Sequence, residues 1–224
     1  MYNNGTYSFA FPESEGFRTR LLKAFLTVIF LFAAVLITNA QDSDYLNRLE
    51  KEAESGNLQS QEYLGLIYQG GSTGHIGSEV PKDLLKARFW LEKATGGGSA
   101  VAPNQLAEFY IQGLGVEENL DEAEKLMIIA ASRGNKDAQY SLGHIKTKGL
   151  QGFPQDTIRG LAWFIIAANK NTGIETGASP DIPFQAAAAL EKAKAGVPAD
   201  IMDQAEQLAI QVQQLIIDNI SKQR

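Results

Sequence analysis

The sequence predicts an all-α protein, an α-solenoid of stacked helix–turn–helix repeats with a C-terminal capping helix. Three observations predict it: a segment recurs three times, small and apolar residues recur within it at helical spacing, and glycines mark the same positions in every copy. ESGNLQSQEYLGLIYQGG (54–71) is echoed by GGGSAVAPNQLAEFYIQG (96–113) and by SRGNKDAQYSLGHIKTKG (132–149), at offsets of 42 and 36 residues. Periods of this length mark repeat architectures, in which each unit buries its apolar face against its neighbours.

The first helix of each unit is set by its aligned columns. Gly56, Gly98 and Gly134 coincide, as do Leu64, Leu106 and Leu142. Ser60, Ala102 and Ala138 share a column, and so do Ile67, Phe109 and Ile145. Positions 60, 64, 67 and 71 recur at i, i+4, i+7 and i+11, which is one helix face. Gly71, Gly113 and Gly149 close each first helix, where a left-handed residue is favoured. The second helices, DLLKARFWLEKAT (83–95), LDEAEKLMIIAA (120–131) and TIRGLAWFIIAA (157–168), align through Ala87, Ala123 and Gly160. Trp90, Leu126 and Trp163 follow, then Ala94, Ala130 and Ala167. The small columns Gly65/Ala107/Gly143 and Ala87/Ala123/Gly160 are expected to let paired helices approach closely, with Trp90, Leu126 and Trp163 filling the space between. Asp83, Asp121 and Asp156 lie near the second-helix starts, where caps and the helix dipole favour acids.

These residues resemble the Sel-one-like repeat family, a relative of the tetratricopeptide repeats. Its pattern runs roughly A-x-x-G-x-x-x-A-Q-x-x-L-G-x-x-Y-x-x-G, then D-x-x-K-A-x-x-W-x-x-K-A-A. The first unit matches through Ala53, Gly56, Gln61, Leu64-Gly65, Tyr68, Gly71, Asp83, Lys86-Ala87, Trp90 and Lys93-Ala94. The third matches through Gly134, Ala138-Gln139, Leu142-Gly143, Gly149, Asp156, Trp163 and Ala167-Ala168. The middle unit departs from the pattern with Pro103 in place of Gln and Leu126 in place of Trp. The resemblance covers three repeats over about 53–173 and implies a right-handed solenoid whose first helices line a concave side.

Outside the repeats, 41–52 reads as an N-terminal cap, a short helix carrying Leu46, Leu49 and Ala53. Residues 174–224 read as C-terminal capping helices. Within them Phe184–Ala195 is alanine-rich and helical, and Ala199–Ile220 is a long final helix carrying apolar Ile201, Ala205, Leu208, Val212, Leu215 and Ile216. At the other end, Arg18, Arg20 and Lys23 precede the apolar run Ala24–Ile37, which ends at Thr38-Asn39-Ala40. Such a run is short of the roughly 20 apolar residues of a spanning helix. A basic flank, a short apolar core and a small-residue site mark 17–40 as a signal peptide cleaved near Ala40. The expected location is periplasmic, or secreted, with membrane contact only if the segment stays uncleaved. Residues 1–16 are unpatterned, a disordered stretch or a start assigned too early.

Composition narrows the function. The chain carries a net charge of −6; without 1–40, which hold three basic and two acidic residues, it is −7. An acidic chain without a basic stripe does not suit the phosphate backbone, so no nucleic acid partner is expected. With no cysteine there is no disulfide, thiolate metal site or cysteine nucleophile. Gly70-Gly71-Ser72-Thr73-Gly74 spells the G-x-S-x-G of a hydrolase elbow, but that motif needs a strand before the serine. Here repeat register makes Tyr63–Gly70 helical. Ser72 and His75 instead fall in a loop six residues longer than its counterpart in the middle unit, and Ser72–Glu79 is a candidate ligand-contacting edge. Gly96-Gly97-Gly98 lacks the Lys-Ser/Thr of a phosphate loop. Glu117/Glu118 and Asp121/Glu122 flank a helix start, and His144 has no second histidine in its unit, so neither a carboxylate dyad nor a metal site is expected.

The remaining reading is surface presentation: a scaffold or adaptor that binds a protein or peptide, without catalysis and without a cofactor. First-helix columns that vary between units mark the expected binding face. They are Glu62/Asn104/Tyr140, Leu66/Glu108/His144 and Gln69/Ile111/Thr147, spaced 4 and 3 apart on one face. The alternative is a cell-wall-related enzyme or β-lactam-binding protein, which the resemblance allows because some extracellular members are linked to that chemistry. No S-x-x-K motif supports it here.

Overall fold

A computed structural model describes residues 23, 25–31, 44–71, 80–169 and 180–221. Helix α1 spans 44–54. It is followed by α2 (Leu58–Gly70), α3 (Leu84–Gly96), α4 (Ala102–Gln112), α5 (Leu120–Ser132), α6 (Lys136–Lys148), α7 (Thr157–Ala168), α8 (Ile182–Ala193) and α9 (Ala199–Ser221). No strand occurs among the described residues. The pairs α2·α3, α4·α5 and α6·α7 are the three repeats; α3 packs on α4 and α5 on α6, which chains the repeats into an α-solenoid. Helices α8 and α9 both pack on α7, and α9 reaches back to α5.

The repeat columns become the core. Leu64, Leu106, Leu142, Ala87, Ala123, Ala94, Ala130 and Ala167 are buried, and Trp90, Leu126 and Trp163 lie between the helices as a continuous apolar seam. The small residues act as expected. A Cβ added at Gly143 would stand 2.5 Å from the Phe164 ring, and one at Gly160 would stand 2.6 Å from the Thr147 backbone nitrogen. Helices α6 and α7 therefore meet at a distance only glycine permits. The glycines closing the first helices have positive φ, with Gly113 and Gly149 in the left-handed region.

Side chains at the helix ends take up the orphan donors of each first turn. In the first helices, Asn57 accepts from the Ser60 amide and Asn135 from the Ala138 amide. The same column in the middle repeat is Ser99, whose Oγ accepts from the Val101 and Ala102 amides. Second helices are capped by Asp83, Asn119 and Asp156. In α5 the cap is thus Asn119, and Asp121 sits in the first turn.

Leu49 and Ala53 of α1 are buried against the first repeat, and Tyr68 donates from its hydroxyl to Glu50 at 2.6 Å. In α9, Ala205, Ala209 and Ile216 are buried and Leu208 and Val212 half-buried, whereas Leu215 is 61% exposed. Residue 215 is a step of about 100° around the helix from Ile216, which carries it off the buried side of α9. The described residues 25–31 are helical with all their side chains exposed, and no helix among the described residues is long and apolar enough to cross a membrane.

Candidate functional site

Five of the nine variable first-helix residues converge. Asn104, Glu108 and Ile111 project from α4, and Tyr140 and His144 from α6, around a groove of about 210 Å³. Successive turns of one helix place 104, 108 and 111 in a row, and α6 repeats the arrangement one unit along. Buried Ala107, Met127 and Ile145 line the groove beneath them, and Leu150 and Gln151 line it beyond the end of α6. Glu108 accepts from Gln112 Nε2 at 2.9 Å, an exposed bond along α4. Among the described residues, the groove is lined by one carboxylate and no lysine or arginine.

Aromatic contacts fix the α6 wall. His144 stands edge-on to Tyr140, with ring centroids 4.6 Å apart, and edge-on to Phe164 at 4.9 Å. Burial, and then the charge of Lys148, push the imidazole pKa below its ordinary value, so His144 is neutral at pH 7. An uncharged imidazole between two aromatic rings offers a flat, partly apolar surface with one donor and one acceptor.

The other four residues fall elsewhere. Thr147 donates to the Gly143 carbonyl at 2.7 Å and lines a second groove, of about 380 Å³, between α6, α7 and α8. His144 lines both grooves and so joins them. Glu62 accepts a hydrogen bond from Ser99 Oγ, which fastens α2 to the turn before α4. Leu66 is exposed and Gln69 half-buried, and neither lines these grooves. The Ser72–Glu79 loop, with Ser72 and His75, lies outside the described residues.

Two features were missed by the sequence reading. The second groove takes Ala189, Lys192 and Ala193 from α8, a helix outside the repeat register. Also, a buried ion pair joins Lys146 Nζ to Glu124 Oε2 at 2.6 Å beside a cavity of about 240 Å³ under α9. Lys146 occupies the column of Tyr68, and both residues tie a first helix to a carboxylate on an earlier helix. Lysine standing where the repeat pattern has tyrosine was the available signal. Among the described residues, no group of three or more His, Asp or Glu is placed to hold a metal ion.

The fold and this groove define a helical-repeat protein of the tetratricopeptide-like class. The Sel1 repeat model matches residues 58–99, 100–135 and 136–172, about half of the chain, and the chain belongs to the Sel1 repeat family. It is similar to two curated proteins. One is the ERAD-associated E3 ubiquitin-protein ligase component HRD3B of Arabidopsis thaliana, 31% identical over 110 residues, which are 49% of this chain and 16% of the relative. The other is DAP3-binding cell death enhancer 1 of Mus musculus, 27% identical over 132 residues, 54% of this chain and 24% of the relative. The shared stretch is thus a quarter or less of each. Among solved structures, it is similar to a protective antigen of uropathogenic Escherichia coli displaying an SLR fold. There the TM-score is 0.51 and identity 25%, covering 78% of this chain and 42% of that one. A Sel1 repeat protein from Oxalobacter formigenes gives a TM-score of 0.50 and 27% identity, covering 66% and 97%.

Proposed function

We propose that this chain is an exported Sel1 repeat scaffold that binds a protein or peptide along the α4/α6 groove and performs no catalysis. One observation carries the reading: five of the nine residues that vary between repeats, all from α4 and α6, line a common groove, while the residues that recur form the core. Recurring positions serve the shared backbone; varying positions at one exposed face are free to serve a ligand. Support also comes from the relative in mouse, whose name describes it as binding DAP3. The export part rests on Arg18, Arg20 and Lys23 before Ala24–Ile37 and on the small residues to Ala40.

The test is crosslinking capture in the native host with the wild-type chain and the Tyr140→Ala/Glu108→Lys variant. A partner retained by the wild type and lost by an equally folded variant is the expected result. Equal retention by both would overturn the groove assignment. N-terminal sequencing of the mature chain is expected to begin at Gln41; a chain still carrying Ala24–Ile37 would instead make it a tethered scaffold. Turnover of a chromogenic β-lactam by the purified protein would overturn the non-catalytic reading.

A further inference from the structure

We propose that the groove between α6, α7 and α8 receives an acidic side chain of the bound peptide and so fixes the direction in which the peptide lies. The inference rests on the α4/α6 groove being a peptide site, which it extends through their shared residue His144. Among the described residues, the second groove is lined by Lys148 and Lys192 and by no carboxylate. Both lysines are exposed, and neither forms an ion pair among the described residues.

Each lysine sits in or near the last turn of its helix, where the dipole alone favours a cation. The dipole does not account for their convergence on one groove in a chain of net charge −6. Nor, among the described residues, do neighbouring acids pair with them. Asp156 is paired with Arg159 and Glu191 with Lys194. The two grooves therefore differ in sign, with Glu108 in one and two lysines in the other, and the His144 imidazole, backed by the buried Phe164 ring, forms a step between them. That arrangement complements a peptide with an apolar or aromatic residue at the step and an acidic residue on its α8 side. Two lysines are too few for a nucleic acid backbone, which needs a stripe of cations.

The test is fluorescence anisotropy with a labelled peptide Lys-Ala-Phe-Ala-Asp-Glu and a control in which Asn and Gln replace the acids. The acidic probe is expected to bind the wild-type chain about ten-fold more tightly than the control at low salt, an advantage lost in Lys148→Glu/Lys192→Glu and kept in Lys148→Arg/Lys192→Arg. Both lysines are exposed, so circular dichroism is expected to report unchanged folding. Equal binding of the two probes would overturn the acid pocket while leaving the α4/α6 groove standing. Failure of the acidic probe to bind would overturn it too, as would charge-dependent binding to phosphatidylserine vesicles in place of the peptide.

Discussion

The junction between the first and middle repeats and the junction between the middle and third solve one problem with different residues. At each, a second helix ends and a first helix begins after a glycine with positive φ, Gly98 or Gly134. A carbonyl at the end of the outgoing helix is left facing the turn. At the later junction Gln139, fully buried, donates from Nε2 to the Ala131 carbonyl at 3.0 Å. Gln61 does the same for Ala53 at 2.8 Å, joining α1 to the first repeat. At the middle junction the column holds Pro103, which has no side-chain donor. There Arg133, from the next turn along the solenoid, donates to the Thr95 carbonyl at 2.9 Å and to the Ser99 carbonyl at 2.7 Å. The backbone's demand is the invariant; the donor is local where glutamine is present and borrowed from the following repeat where it is not. One junction is self-contained, and the other depends on its neighbour.

The largest effect is expected within the third repeat. Ala87 and Ala123 hold the column of Gly160, yet a Cβ at Gly160 would meet the backbone of Lys146 and Thr147, which cannot rotate away. Gly160→Ala is expected to cost about 3 kcal/mol, read as a lower urea midpoint. A neutral result would mean that the three helix pairs are equally spaced. Next comes Gln139→Ala, expected at about 2 kcal/mol, because it removes a buried donor and leaves a cavity in a core position. A loss below about 0.5 kcal/mol would show that the local clasp contributes little.

Much of this was legible because the chain carries its own internal comparison. Three copies expose the Leu64, Trp90 and Ala94 columns as core and the closing glycines as turns, and repeat register alone dismissed Gly70–Gly74 as an elbow. Legibility fell where no internal copy exists. Helix α9 has no counterpart, and nothing in the pattern told its exposed Leu215 from its buried neighbour Ile216. Arg133 could not be read as a substitute for the missing glutamine, since its reach of more than thirty residues along the chain is set by stacking rather than by local pattern. For the site, columns found the α4/α6 wall but could not show that Glu62 is engaged with Ser99 or that α8 supplies Lys192.

A third effect depends on pH. Lys136 is buried at the start of α6, three residues before Gln139, and its Nζ donates to the Ile166 and Asn169 carbonyls, each at 2.9 Å, fastening the end of α7. Burial penalises the ammonium and pulls its pKa down to about 8. In the unfolded chain it titrates at about 10.4, so between these values the unfolded state binds more protons. Stability from this group therefore rises as pH climbs from about 8 to about 10.4, and the burial penalty is fully present below that window. The expected gain is on the order of 1–2 kcal/mol, measured as the difference in urea stability between wild type and Lys136→Met across the window. Parallel curves for the two proteins would show that Lys136 titrates as an exposed lysine does.

The smallest effect probes the borrowed donor. Arg133 is half-buried, so water can reach part of the space its guanidinium leaves, and Arg133→Ala is expected to cost only about 1 kcal/mol. Its signature lies in where the loss falls. Hydrogen exchange should speed up at the amides of Gly98 and Ser99, which bond to Thr95 and Ala94 at the end of α3, although the substituted residue follows α5. Gln139→Ala should instead loosen its own junction, at Gly134 and Asn135, whose amides bond to Ala131 and Ala130. If Arg133→Ala left exchange at Gly98 and Ser99 unchanged, the middle junction would be as self-contained as the other, and the difference between them would reduce to the choice of capping residue.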